Sequence, residues 1–203
     1  MVAAFRRQYR RLRYGEAIIV VSGLPRSGTS MMMKMLAAGG VPLATDELRA
    51  ADESNPEGYF ELERVKTLEQ SDHHPWLADC RGRAIKIISF LLPHLPDAFN
   101  YRVVFMHRQM PEVIASQDRM LERRGEAVDP AAEATAARFQ EHLAHVRRLL
   151  HREPWFASLD VSYNRVVADP EAEAIRVNRF LGAGLDVRAM RDAVNPDLYR
   201  NRG

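Results

Sequence analysis

The sequence predicts an α/β fold, a mainly parallel sheet flanked by helices, on three observations. Short apolar runs rich in β-branched residues recur along the chain, "AIIVVSG", "RAIKIIS" and "YRVVFMHR", each with the length and composition of a buried strand. Stretches of helix-forming composition separate them, and strands alternating with helices are the pattern of a parallel sheet covered on both faces. The first apolar run is joined to the first helix by a glycine-framed loop, "GLPRSGTS". That loop falls where the ligands of such sheets bind, at the carboxyl ends of the strands.

Each element has its own signal. Residues 17–23 form the first strand, ended by Gly23. A helix follows over "TSMMMKMLAA", stopped by Gly39 and Gly40. Residues 83–89 and 101–108 are the next two strands. Pro111 opens a helix through "PEVIASQDRMLERR", since proline suits the first turn. A long helix is expected over residues 130–151, then a strand around "WFASLDVSY". The last helix lies in "DPEAEAIRVNRFLG", with Asp169 as its cap, Pro170 in its first turn and Gly182 past its end. The loop at residues 23–30 and the segment from His107 onward then leave the sheet along one edge.

Composition bounds what such a fold can be for. At 203 residues, 46% apolar and 28% charged, the chain is expected to be a single globular domain over residues 1–203, with a basic N-terminal arm at residues 1–15. That arm holds five arginines within residues 6–13 and is expected as a solvated helix leading into the first strand. The net charge of +2, with 26 arginines against three lysines, gives no ground for nucleic acid as a partner. No apolar run has the length of a membrane span, and the N-terminus lacks the apolar run and cleavage site of a secretory signal. Cys80 is the single cysteine, which leaves no internal disulfide and no cysteine-rich metal site and fits a reducing compartment. A cytoplasmic location is the expectation; oligomeric state has no signal here.

The loop carries the chemistry. Gly23, four residues, Gly28 and a hydroxyl pair make nearly the frame of a phosphate-binding P-loop, so the fold is expected to be P-loop-type. The glycines permit close backbone approach, and the amides that follow converge on an anion at a helix N-terminus. Ser27, Thr29 and Ser30 add hydroxyls, and Arg26 adds a planar fork suited to phosphate. Thr29 stands where the lysine for the β- and γ-phosphates belongs. A magnesium-triphosphate enzyme would thereby lose a main stabiliser of the transferring group. Further along, Arg108 follows the strand "YRVVFMH" and Ser116 comes eight residues later, a second and separate anion clamp.

At these residues the chain resembles the nucleotide-dependent sulfotransferases, whose donor is 3′-phosphoadenosine 5′-phosphosulfate (PAPS). Their 5′-phosphosulfate loop, Pro-Lys/Arg-Ser-Gly-Thr-Thr/Ser, is matched by "PRSGTS"; their 3′-phosphate arginine and serine are matched by Arg108 and Ser116 in "VVFMHRQMPEVIAS". Tyr163 corresponds to a tyrosine at the edge of the adenine site, and Arg200 and Arg202 in "LYRNRG" to a segment that also reaches the 3′-phosphate. The resemblance runs over residues 18–182 and implies PAPS as co-substrate, no divalent metal, and a small-molecule or glycan acceptor. It answers the missing lysine: a donor with charge at both its 5′ and 3′ ends needs two clamps and no γ-phosphate lysine. The chain departs from the pattern at Met31, where an adenine-stacking tryptophan often stands, and at Lys86-Ile87-Ile88, where cytosolic members carry a catalytic histidine.

The base is accordingly open. In heparan-type members a glutamate after an aromatic acts as base, and Glu61 in "GYFE" fits that place, with Glu57 and Glu63 beside it and an acidic helix start as the alternative. His73 and His74 are the other candidates. Lys86, at a strand end, is a candidate for contact with the transferred group's oxygen or a lysine extending out of the core. His142 and His145 lie a helical turn apart without an evident third metal ligand. Two other functions share these motifs, a kinase-like phosphotransferase, which Thr29 disfavours, and a nucleotide-binding regulatory protein without a base.

Overall fold

In a computed structural model of the chain, the described residues are 10, 12–46, 60–123, 125 and 132–195. Four parallel strands, β1 (Ile18–Gly23), β2 (Ala84–Lys86), β3 (Tyr101–His107) and β4 (Phe156–Ser162), lie in the order β2-β1-β3-β4. Around them pack α1 (Thr29–Ala38), α2 (Met110–Arg123), α3 (Ala132–Arg152), α4 (Tyr163–Ala168), α5 (Pro170–Leu181) and α6 (Val187–Asp192).

The unbroken apolar runs follow from the two covered faces. Successive strand side chains point to opposite sides, so Ile18 and Val20 meet one layer while Ile19 and Val21 meet the other. On the first face they join Ile85, Val103 and Phe105 under Val146 and Leu150 of α3. On the second they join Val104, Met106 and Val161 against Met32, Met35 and Leu36 of α1, Val177 of α5 and Met190 of α6. Full burial of each such side chain is worth about 1.5–3 kcal/mol. β4, at the edge, exposes Ser158 and Asp160 and buries only Phe156 and Val161, as a sheet edge tolerates.

The expected strand over residues 83–89 is cut to Ala84–Lys86. Its pairing with β1 ends at Val21↔Lys86, where the chain after Lys86 leaves the sheet while β1 runs on beside β3 to Gly23. One further bond, Ile87 N to Val21 O at 3.0 Å, closes the ladder before a 3₁₀ turn over Ser89–His94. α1 has its expected bounds, and α5 its expected cap: the Asp169 carboxylate accepts from Ala172 N at 3.0 Å. Gly182 ends α5 at φ 60°, donating to Asn178 O at 2.8 Å. The long helix spans Ala132–Arg152; its expected start at Pro130 lies outside the described residues.

Most of the basic arm also lies outside them, but Arg10 does not dangle. Its guanidinium donates to Asn100 Oδ1 at 3.0 Å and to the carbonyls of Asp97 and Phe99 at 2.6 and 2.9 Å, fastening it beneath β3. Cys80 is buried, and burial pushes its thiol pKa up, as for an inert packing cysteine. Among the described residues no helix is long and apolar enough to cross a membrane.

Candidate functional site

The loop leaves the carboxyl end of β1 in a shape that its glycines impose. A Cβ on Gly23 would lie 2.4 Å from both Met106 O and Ser27 Oγ, so only glycine lets the loop pack this closely on β3. Ser27 Oγ donates to Leu24 O at 2.7 Å and the residue is 1% exposed. Its hydroxyl therefore closes the turn from within, a departure from the ligand-facing donor that the sequence led us to expect. Arg26 sits at φ 69° and Gly28 at φ 95°. Thr29 and Ser30 open α1 directly behind Gly28, so the amide groups of its first turn face out of the strand edge.

The arginine–serine pair meets this loop. Arg26 Nε donates to Ser116 Oγ at 3.0 Å, across ninety positions of sequence. Ser116 is buried on α2, whose start at the end of β3 aims it back at the loop. Arg108 lies between β3 and α2, its guanidinium carbon 4.3 Å from the centre of the Tyr163 ring, a cation–π distance. The same ring closes on the loop, since a Cβ on Gly28 would lie 2.4 Å from Tyr163 Cδ2. Tyr163, expected at the end of the fourth strand, is instead the first residue of α4 and is 7% exposed. Gly28, Arg26, Arg108, Ser116 and Tyr163 thus form one constellation at the exits of β1, β3 and β4.

A second group flanks it. Lys86, the last residue of β2, places Nζ 3.4 Å from Ser30 Oγ and 3.5 Å from Glu61 Oε1. The lysine side chain is 9% exposed and the glutamate side chain 34%, so the carboxylate is the partner open to solvent. Glu61 is not a helix start: the 3₁₀ turn begins at Glu63. Its backbone is pinned by Thr45, whose Oγ1 donates to Glu61 O at 2.9 Å, and by the preceding Phe60, held at φ 50° with its ring against the core. Non-glycine residues in this region of backbone space cost free energy and gather at functional sites.

Of the other candidates, His73 is exposed and His74 is 4% exposed, its ring edge-on to Trp76 at 6.2 Å. His142 meets Ser89 Oγ at 2.9 Å and stacks on Phe90 at 3.9 Å, whereas His145 is exposed. Among the described residues no three His, Cys, Asp or Glu side chains gather as a metal site would require. Glu57, Arg200 and Arg202 lie outside the described residues. Two polar side chains of the constellation were not singled out from sequence. Glu112 takes Arg108 Nε on Oε2 at 2.6 Å and Asn164 Nδ2 on Oε1 at 2.8 Å. The four-residue spacing from Arg108 to Glu112 was the available signal; Asn164 offered none.

The fold has counterparts among solved structures. The chain is similar to the sulfotransferase domain from the curacin biosynthetic pathway, with TM-score 0.52 and 16% identity over 90% of this chain and 79% of that one. It is also similar to sulfotransferase STF1 from Mycobacterium tuberculosis H37Rv, with TM-score 0.55 and 16% identity over 95% of this chain and 76% of that one. No curated protein matches the sequence. At such identities the structural likeness speaks for the fold, and both alignments extend over nearly the whole chain. The sequence match is more selective: a model of the sulfotransferase family covers residues 59–186, which hold Glu61, Lys86, Arg108, Ser116 and Tyr163 and leave the loop upstream. With well over half of its length matched, and the unmatched loop packed against the matched residues, the chain belongs to the sulfotransferase family.

Proposed function

We propose that the protein moves a sulfuryl group from 3′-phosphoadenosine 5′-phosphosulfate to a hydroxyl or amine of a small-molecule or glycan acceptor. One observation carries this reading, the hydrogen bond from Arg26 to Ser116. It joins the glycine loop to the arginine–serine pair, so groups suited to the two charged ends of one nucleotide share a single site. A nucleoside triphosphate, with all its charge on the 5′ side, makes no use of a second clamp and lacks the lysine that Thr29 replaces.

In this reading the amides behind Gly28, with Thr29 and Ser30, hold the 5′-phosphosulfate. Arg108 and Ser116 hold the 3′-phosphate, with Arg26 between the two ends and Tyr163 beside the adenine. Ser27 contributes through the shape of the loop. Arg200 and Arg202 reach the 3′-phosphate, a role that rests on the resemblance alone. The bond from sulfur to the 5′-phosphate oxygen breaks and one from sulfur to the acceptor forms. Glu61 takes the acceptor's proton, and Lys86 offsets the charge that builds on oxygen. The site needs no divalent metal, the domain extends over residues 1–203, and the protein works in the cytoplasm.

Calorimetry tests the nucleotide assignment. Adenosine 3′,5′-bisphosphate should bind at least about tenfold more tightly than AMP, the worth of a hydrogen bond to a charged group, and should do so without magnesium. Equal affinities would overturn the assignment. Once a screen of alcohols, phenols and amines supplies an acceptor, Glu61→Gln should lower turnover by about 10²–10⁴ with nucleotide affinity nearly unchanged. A variant that keeps turnover within about threefold of the parent, against that expected loss, removes Glu61 from the role.

A further inference from the structure

We propose that Glu112 is a positioning residue that aims Arg108 and thereby sets the preference for a 3′-phosphorylated nucleotide; this rests on the nucleotide reading above. Glu112 is 4% exposed, and a carboxylate removed from water to that degree is tolerated only when its oxygens are paired. Both are. Oε2 accepts from Arg108 Nε at 2.6 Å and Oε1 from Asn164 Nδ2 at 2.8 Å.

The choice of nitrogen on Arg108 gives the pair its consequence. A guanidinium is planar, and fixing one edge of it fixes the direction of the rest. Glu112 takes the Nε edge while the Tyr163 ring lies against the guanidinium at 4.3 Å. Those two contacts define both the plane and the rotation, and so commit the two terminal nitrogens to one direction. A bidentate fork holds phosphate only if it is aimed. Paired in this way, Arg108 is also a weaker lure for extra charge on the 5′ side of a nucleotide than a loose arginine would be, because Glu112 balances it at contact distance.

Glu112 ties two elements together as well. It stands in the first turn of α2, after β3, and Asn164 stands in the first turn of α4, after β4, beside the Tyr163 that packs on Gly28. One carboxylate therefore links the 3′ clamp to the chain neighbour of the residue that packs on the 5′ loop. A buried ion pair at four-residue spacing can also be simply structural. The two roles differ in what they do to ligands: structural loss weakens every nucleotide alike, and loss of aim weakens only those with a 3′-phosphate.

The test uses the full chain, calorimetry with adenosine 3′,5′-bisphosphate and with AMP, and thermal melting. Parental preference for the bisphosphate tests the nucleotide reading; the variants test Glu112. Glu112→Ala removes the tether and should cost at least about tenfold in bisphosphate affinity while AMP stays within about twofold. Glu112→Gln keeps an oxygen for Arg108 Nε, and Asn164 can turn its amide to meet the new NH₂, so affinity should return to within about threefold of the parent. If Glu112→Ala does not fold, Asn164→Ala removes one of the two bonds from outside the ion pair and should show the same selective loss, about threefold or more. Equal losses for both nucleotides, an unchanged preference, or a glutamine variant as weak as the alanine variant each overturn the proposal. If the parent itself shows no preference, the nucleotide reading falls and takes this inference with it.

Discussion

Gly28 and Arg26 stand two residues apart in one loop and are constrained in opposite ways. Gly28, at φ 95° and with no room for a Cβ beside Tyr163, is where the backbone needs glycine. Gly28→Ala should cost at least about 1–2 kcal/mol from the left-handed backbone alone. It should also weaken bisphosphate binding, since the methyl group displaces the ring on which Arg108 rests; a melt and affinity matching the parent would refute both. Arg26 occupies the same region at φ 69° without being glycine, and its side chain reaches Ser116. In the proposed reading Arg26 faces the nucleotide, and backbone strain of this kind gathers at functional sites. Arg26→Gly relieves that strain while removing the fork, so binding should fall about tenfold with the melting temperature held or raised. Arg26→Ala is the poorer probe, because alanine pays the same backbone cost. Unchanged nucleotide affinity in Arg26→Gly would end its phosphate role.

At the scale of elements, α5 shows how completely a helix can be written in sequence. Asp169 caps it through Ala172 N, Pro170 needs no donor in its first turn, and Gly182 closes it at φ 60°. Asp169→Ala should lower stability by about 1 kcal/mol, as loss of an N-cap does, with nucleotide affinity unchanged; a denaturant midpoint equal to the parent's would show that the cap contributes nothing. β1, β3 and α1 were legible for similar local reasons, apolar runs closed by glycine or followed by charge. The errors arose where tertiary pairing decides. β2 stops at Lys86 because its chain leaves the sheet toward the 3₁₀ turn at Ser89 while β1 runs on beside β3, a limit set by tertiary packing and invisible in "AIKIIS" itself. α4 and α6 are six residues each, too short for a 3.6-residue period to show. Tyr163 reads as the continuation of a strand because aromatic residues favour strands, until a helix begins on it.

Across the whole molecule, the sequence disclosed the parts of the site but not their joining. The loop and the arginine–serine pair were each visible as motifs; the Arg26–Ser116 bond, the shared Tyr163 ring and the Glu112 link depend on β1, β3 and β4 ending along one edge. The same packing also leaves a mark on the pH dependence of the fold. His107, at the end of β3, has its pKa lowered from 6.5, chiefly by burial and further by Arg147 and Arg165, while Asp160 and Glu173 oppose the shift. His142, on α3 against Phe90 and Ser89, is lowered by burial and by His145. For both, the unfolded chain binds a proton at a higher pH than the folded chain does. Their contribution to stability is therefore fully present above pH 6.5 and is lost as pH falls through the lowered folded values. Thermal melts should thus decline below pH 6.5, before most carboxylates begin to titrate near about pH 4. The double variant His107→Gln and His142→Gln should melt with a flatter profile in that interval. A parental profile that is level between neutrality and the carboxylate range, or a double variant with the parent's slope, would show that neither imidazole is held neutral by the fold.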